Sequence, residues 1–259
     1  MAKHMVIPDT QVKDGVPLDH LTWAGKYAAY KKPDTIVMIG DFADMPSLGM
    51  YDVGKKSFEG RRYRIDIDTA HKGMTMLMTP IWEEQLRQRR NKEKIWKPNL
   101  VLTLGNHEDR ISRAVESDSK YEGVISLADL KYKEFGWTVV PYLEPIIIDG
   151  IAYCHFFTSG ILGKPVTSAS ALVNKKHQSC IMGHVQGRQI AYGTRADGRQ
   201  LTGLFVGGFY QHDEEYLRWQ GNKHWRGIWI LHEVNDGEFD ECPISLNYLQ
   251  RKYGAPSET

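Results

Sequence analysis

The chain has 259 residues, and its Lys+Arg 33 against Asp+Glu 32 leave a formal net charge of +1, so no global basic field argues for tight nucleic-acid binding. The 3 cysteines, Cys154, Cys180 and Cys242, are scattered and odd in number, which argues against a disulfide framework and for a reducing compartment. No apolar run approaches the length of a membrane span and no secretory leader precedes the first strand, so the expectation is a soluble, cytoplasmic protein with one sizeable α/β domain over residues 1–245.

In chain order, an apolar strand is expected from Lys3 to Pro8, ending in Asp9-Thr10-Gln11. Leu18 to Lys31 has helical spacing and stops before Pro33. The strand Thr35 to Gly40 then runs into Asp41, and strand, helix, strand in this span implies a right-handed parallel crossover. Residues 42–98 read as a helical insert. It holds a loop from Phe42 to Gly49, a basic stretch (Lys55, Lys56, Arg61, Arg62, Arg64) and a long helix from about Ile65 to Lys94. The basic cluster ending that helix reads as a solvated face. The 55–64 cluster follows the Gly-Asp loop closely and is a candidate for facing a phosphate-bearing substrate.

The next strand, Leu100 to Leu104, ends in Gly105-Asn106-His107-Glu108. Ile111 to Glu116 reads as helix, Asp118 to Lys133 as a second helical pair, and Trp137 to Val140 as a short strand. Glu144 to Phe156 reads as a hairpin turning at Asp149-Gly150 and delivering His155. Val166 to Lys176 is helical, and the strand Ser179 to Met182 ends in Gly183-His184-Val185-Gln186. Two further antiparallel pairs follow, Gln189–Thr194 with Gln200–Val206 and Gly227–Val234 with Glu238–Ile244, each with an Asp-Gly turn. Residues 246–259 read as a C-terminal tail. The fold class expected is α/β, a mixed two-sheet sandwich flanked by helices.

Several strands thus end on polar side chains: Asp9, Asp41, Asn106, His155 and His184. Ligands of open α/β sheets sit beyond strand carboxyl ends, and carboxylate, amide and imidazole gathered there are the makings of a metal site. The order Asp-x-x, Gly-Asp, Gly-Asn-His-Glu, His, Gly-His-x-x resembles the calcineurin-like metallophosphoesterase superfamily over roughly residues 3–235. The general layout is similar to the small, stand-alone phosphoesterases common in phage genomes.

That resemblance implies a four-layer α-β-β-α fold and two divalent cations bridged by Asp41. Asn106, His155 and His184 would hold one ion with Asp41. The positions of Asp9, Gln11 and Gln186 would hold the other. The implied reaction is phosphoester hydrolysis by a metal-activated water. His107 resembles the residue that contacts phosphate and protonates the leaving oxygen, and the ordinary imidazole pKa near 6.5 suits that work. Asn106 would also touch substrate.

The sequence departs from the family at both histidines expected around the second ion, which are Gln11 and Gln186. A glutamine oxygen is a neutral, hard ligand. The resulting oxygen-rich set suits Mn²⁺, Mg²⁺ or Ca²⁺ better than Zn²⁺, while the nitrogen-bearing set suits Mn²⁺, Fe²⁺ or Zn²⁺. Two arrangements stay open: one tight ion beside a weaker one, or a mononuclear centre in which the glutamines bond water or substrate.

Glu108 is a candidate for orienting a ligand. Arg110 pairs with Asp109 or Glu108, or forks onto a phosphate. His212 follows Gly207-Gly208-Phe209-Tyr210 and is a candidate for substrate contact. Tyr210 and the Trp219–Trp225 region, with Arg218 and Arg226, offer stacking faces for a base, with core packing the plainer alternative. His4, His20, His71, His177, His224 and His232 carry no matching motif and read as surface or packing residues. The expected function is hydrolysis of phosphodiesters, of a nucleotide or nucleic acid. The alternative is a phosphomonoesterase acting on nucleotides or protein phosphates. A non-catalytic nucleotide- or partner-binding module is the reading from another class; the glutamines favour it and His107 opposes it.

Overall fold

A computed structural model describes residues 1–50, 53–214 and 217–254. The elements run β1 (Ala2–Ile7), α1 (Asp19–Lys31), β2 (Thr35–Met38), α2 (Tyr63–Arg90), β3 (Asn99–Thr103), α3 (Asp109–Ser117), β4 (Thr138–Val140), β5 (Ile146–Ile148), β6 (Ile151–Cys154), α4 (Ala169–Lys176), β7 (Cys180–Met182), β8 (Gln189–Thr194), β9 (Gln200–Phe205), α5 (Arg218–Gly221), β10 (Gly227–Asn235), β11 (Glu238–Ser245) and α6 (Leu246–Tyr253).

The strands form two mixed sheets, ordered β11-β10-β1-β2-β3-β4 and β5-β6-β7-β9-β8. In the first, β1 to β4 are parallel and β10 returns antiparallel along β1. In the second, β6, β7 and β9 are parallel, with β5 and β8 antiparallel on the edges.

Alternation along the strands sorts side chains into three apolar layers. Met5, Ile7, Ile36 and Met38 face the helices, packing with Leu21, Ala24 and Tyr27 of α1 and Met74, Leu77 and Ile81 of α2. Their neighbours Val6, Val37 and Ile39 turn the other way and meet Ile151, Tyr153, Ile181 and Leu204 of the second sheet. Ala152, Cys154, Cys180 and Met182 cover the far side of that sheet against Ala169 and Leu172 of α4. Strands buried on both faces read as the continuous apolar runs seen in the sequence.

Three expectations change. Residues 246–253 are not a tail: α6 starts at Ser245, whose side chain accepts from the Tyr248 N–H, and it buries Leu246 and Leu249 in the core that α1 shares. Residues 255–259 of that expected tail lie outside the described residues, as do 51 and 52 of the insert. The helical pair expected over 118–133 is two short 3-10 turns, Ser119–Tyr121 and Leu127–Leu130, separated by Gly123 at φ +72°. The long helix begins two residues earlier and ends at Arg90 rather than Lys94, and it carries Pro80 inside. Among the described residues no helix is long and apolar enough to cross a membrane.

Candidate metal centre

The carboxyl ends of β1, β2, β3, β6 and β7 meet at one place, because both sheets present their parallel strands in the same sense. The Gln11 N–H donates to the Asp41 carbonyl at 3.1 Å, and the His184 N–H donates to the Asp9 carboxylate at 3.1–3.2 Å. Gln11, Asp41 and His184 all have left-handed backbones, at φ 47°, 49° and 64°. Such conformations cost on the order of 1–3 kcal/mol in non-glycine residues and gather at functional sites. Glycine makes the crowding feasible: a Cβ on Gly105 would overlap the Asp41 carboxylate.

One half of the pocket is rich in nitrogen. Asp41, His155 and His184 offer ligand atoms that all lie within 4.8 Å of one another. Asn106 Oδ1 sits among them, 3.0 Å from His155 Nε2 and 2.8 Å from His184 Nδ1. His155 Nδ1–H donates to the Ile39 carbonyl at 3.0 Å, which aims Nε2 at the cluster. A backbone carbonyl behind a ring nitrogen is the usual support of a metal-ligating histidine. His155 lies up at about 9: burial lowers it, but the Asp41 carboxylate at 3.4 Å outweighs that. His184 lies down at about 4, through burial and the neighbouring His155.

The other half is rich in oxygen. Asp9 is fully buried, and burial raises it to about 7 with help from the Asp41 charge. Asp41 stays well below the ordinary carboxylate range, because His107 and His155 outweigh its burial. Gln11 Nε2 stands 3.5 Å from Asp41 Oδ2, and Gln186 Nε2 donates to Asp9 Oδ2 at 3.1 Å. Tyr210 OH lies 3.1 Å from Gln186 Oε1 and 3.3 Å from His224 Nε2. Burial lowers the His224 pKa, so this ring is neutral near pH 7. Two crowded buried carboxylates, converging imidazoles and amide oxygens are a donor set that a divalent cation fits.

Glu108 reaches the cluster through the backbone N–H of Asp41. Its buried carboxylate accepts the N–H groups of Asp41, Ala43 and Gly105 at 2.9–3.0 Å and the Tyr132 hydroxyl at 3.2 Å. It thus ties the loops after β2 and β3 together by their backbones, a firmer role than orienting one ligand.

His107 sits at the rim with Nε2 3.7 Å from Asp41 Oδ2. Its Nδ1 is 2.7 Å from Asp44 Oδ1, and its backbone N–H donates to Asp41 Oδ1 at 2.9 Å. Burial lowers the His107 pKa, but Asp41 and Asp44 outweigh it and leave it raised. Asp44 was not singled out in the sequence, although it stands three residues past Asp41 in Gly40-Asp41-Phe42-Ala43-Asp44. That spacing was the available signal.

Arg110 pairs with neither Asp109 nor Glu108. Its guanidinium donates to the Asp44 carbonyl at 2.6 Å, pairs with Asp44 Oδ1 at 3.3 Å and places Nη2 3.2 Å from His107 Nε2. His212 is not brought into the cluster: its Nε2 bonds Glu214 Oε1 at 2.7 Å and its ring lies 4.8 Å from that of Tyr210. It connects to the site through a chain of charges, Glu214 to Lys13 at 2.6 Å, Lys13 to Asp44 at 3.1 Å and Asp44 to His107, and through its ring contact with Tyr210.

The Arg110 and Arg61 guanidiniums lie 3.7 and 3.9 Å from a Cβ position on Gly49, and Arg61 donates to the Pro46 carbonyl at 3.1 Å. Arg188, two residues past Gln186, lies over the Trp225 ring at 4.9 Å. Arg226 lies over Tyr210 at 4.5 Å, so that candidate stacking face is already covered. Of the motif-free histidines, His4 is buried between Tyr153 OH and Asp149, and His20 is buried beside Gln211. Compared with known families and curated proteins, the chain matches no family model and no curated sequence.

Proposed function

We propose that this protein is a metal-dependent phosphodiesterase acting on nucleotides or nucleic acid, a distant relative of the calcineurin-like phosphoesterases. The observation that carries the reading is the convergence of Asp41, Asn106, His155 and His184, with His155 anchored from behind by the Ile39 carbonyl. Beside it stands a histidine, His107, whose ring is fixed by Asp44.

In this reading Asp41, Asn106, His155 and His184 hold one divalent cation, and Asp9, Gln11, Asp41 and Gln186 hold a second. Mn²⁺ fits both sets, with Mg²⁺, Fe²⁺, Zn²⁺ or Ca²⁺ as further candidates. Such ions supply an activated water and neutralise the phosphoryl oxygens. The chain supplies the rest. Asp44 accepts from His107 Nδ1–H and turns Nε2 toward the pocket, where it hands a proton to the leaving oxygen. The Arg110 guanidinium beside Nε2 favours release of that proton. Arg110 beside His107, with Arg188 two residues past Gln186, would offer positive charge to a substrate longer than a lone phosphate. This favours the diester over the monoester.

The test is hydrolysis of bis(p-nitrophenyl) phosphate and p-nitrophenyl phosphate by metal-stripped protein given Mn²⁺, Mg²⁺, Zn²⁺ or Ca²⁺. Metal-dependent diester turnover that falls in His107→Ala is the expected result. Turnover of the monoester alone would redirect the reading to a phosphatase. Tight metal binding without any turnover would leave a binding module.

A further inference from the structure

We infer that Tyr210 and His224 are positioning residues that turn the Gln186 amide, so that its oxygen faces the Asp9 side of the pocket when a divalent cation is bound there. The inference rests on the metal-centre reading above. It also gives the glutamine that replaces the expected histidine a defined part to play.

The argument starts at the far end. His224 Nδ1 lies 2.7 Å from the Gly221 carbonyl. A carbonyl only accepts, so Nδ1 carries the ring proton. Nε2 of the neutral ring is then an acceptor, and it faces the Tyr210 hydroxyl at 3.3 Å. That hydroxyl has a single proton, and both His224 Nε2 and Gln186 Oε1 stand within reach of it.

Two self-consistent settings follow. In the first, the one described above, Gln186 Nε2 donates to Asp9 Oδ2 and Oε1 accepts from Tyr210. His224 Nε2 then has no claim on the tyrosine proton. This setting suits a pocket whose carboxylate needs a donor. In the second, the amide is turned by 180°. Gln186 Nε2 donates to the Tyr210 oxygen, the Tyr210 proton goes to His224 Nε2, and Oε1 faces Asp9. An oxygen facing a carboxylate is repulsive until a cation sits between them. The second setting is therefore the cation-bound one, and every polar atom in it has a matched partner.

The packing supports a turning amide. A Cβ on Gly208 would stand 2.6 Å from Gln186 Oε1, 2.8 Å from the Tyr210 ring and 3.5 Å from His224 Nε2, so all three groups meet over a residue that has no side chain. Tyr210 is itself fully buried, which keeps its hydroxyl in place.

The experiment is calorimetric titration of the metal-stripped full-length protein with MgCl2 and with MnCl2, in wild type, Tyr210→Phe, His224→Ala, Gln186→Ala and the Gln186→Ala/Tyr210→Phe pair. Wild type should take up two ions. Loss of an outer partner typically weakens a metal site about 10–100-fold, so Tyr210→Phe should weaken the second ion by about ten-fold or more and leave the first unchanged. In the Gln186→Ala background the same change should do nothing further, which a general packing defect would not reproduce. Side-chain nitrogen NMR gives the independent readout: Mg²⁺ should move the His224 Nε2 resonance toward the hydrogen-bonded range and leave Nδ1 in place.

Equal second-ion affinity in Tyr210→Phe and wild type, or an unmoved Nε2, overturns the relay. If Tyr210→Phe also disturbs the first ion, His224→Ala on its half-buried ring decides by the same criterion. A wild type that binds one ion, lost in His184→Ala, overturns the relay but spares the metal-centre reading. A wild type that binds none overturns both.

Discussion

The two halves of the pocket are built from different materials and held in different ways. On the nitrogen side, His155 is fixed by the Ile39 carbonyl and meets His184 around one amide oxygen, so the geometry is set by backbone. On the oxygen side, Gln11 and Gln186 reach in with long side chains, and Gln186 is held by Tyr210. If the pocket holds ions as proposed, their affinity would be divided between rigid ligands and adaptable ones. The first should hold an ion through purification and the second should exchange it.

Several substitutions would break or sharpen that contrast. Asp41→Asn strikes both halves at once, since its carboxylate faces His155, His107 and Gln11. Uptake of both ions should fail and phosphodiester hydrolysis should drop to background, as read by dialysis against metal and by turnover. His107→Ala strikes neither half. It should cost about 10²- to 10⁴-fold in kcat, the usual contribution of a general acid, with ion stoichiometry unchanged. Gln11→His with Gln186→His would make the halves alike, raising Zn²⁺ affinity and lowering Mg²⁺ affinity at the second position in competitive dialysis.

Glu108→Gln tests the frame beneath both halves. The amide cannot accept the three N–H groups the carboxylate now receives, and chemical denaturation should show a loss of about 2–3 kcal/mol, the range for hydrogen bonds to a buried charge.

The smallest effect lies outside the pocket. Burial pushes His20 down to about 3, below its unfolded value near 6.5. The unfolded chain therefore binds the extra proton first as pH falls. The stability this group supports is complete above about pH 6.5 and declines between there and pH 3. Unfolding free energies from urea titrations at pH 6.5 and 4.5 should differ by about 2 kcal/mol more in wild type than in His20→Gln.

What could be read from the sequence was local. Val6, Val37, Val101 and Ile181 lie in apolar runs that end in glycine or in a carboxylate, so the strands and most of the candidate ligands were visible as patterns along the chain. Asp44 was visible in principle, through its three-residue spacing from Asp41. The Lys13–Glu214 and His224–Tyr210–Gln186 contacts were not, because nothing in a single sequence pairs residues that far apart. α6 was missed because its apolar positions, Leu246, Leu249 and Tyr253, are diluted by polar and basic neighbours, and only packing on α1 reveals them as a face. The 3-10 turns after α3 look like helix in sequence because a run of helix-tolerant residues says little about where Gly123 will bend it.

The bonds that close the pocket join Asp9 to His184 and to Gln186, across 175 and 177 positions of chain. A ribosome adds about 5–20 residues each second, so the first strand waits many seconds for the loop that completes its end. Through most of that wait the nascent chain carries Asp9 and Asp41 without His155, and through all of it without His184. The Asp41–His155–His184 cluster is complete only after β7 has docked.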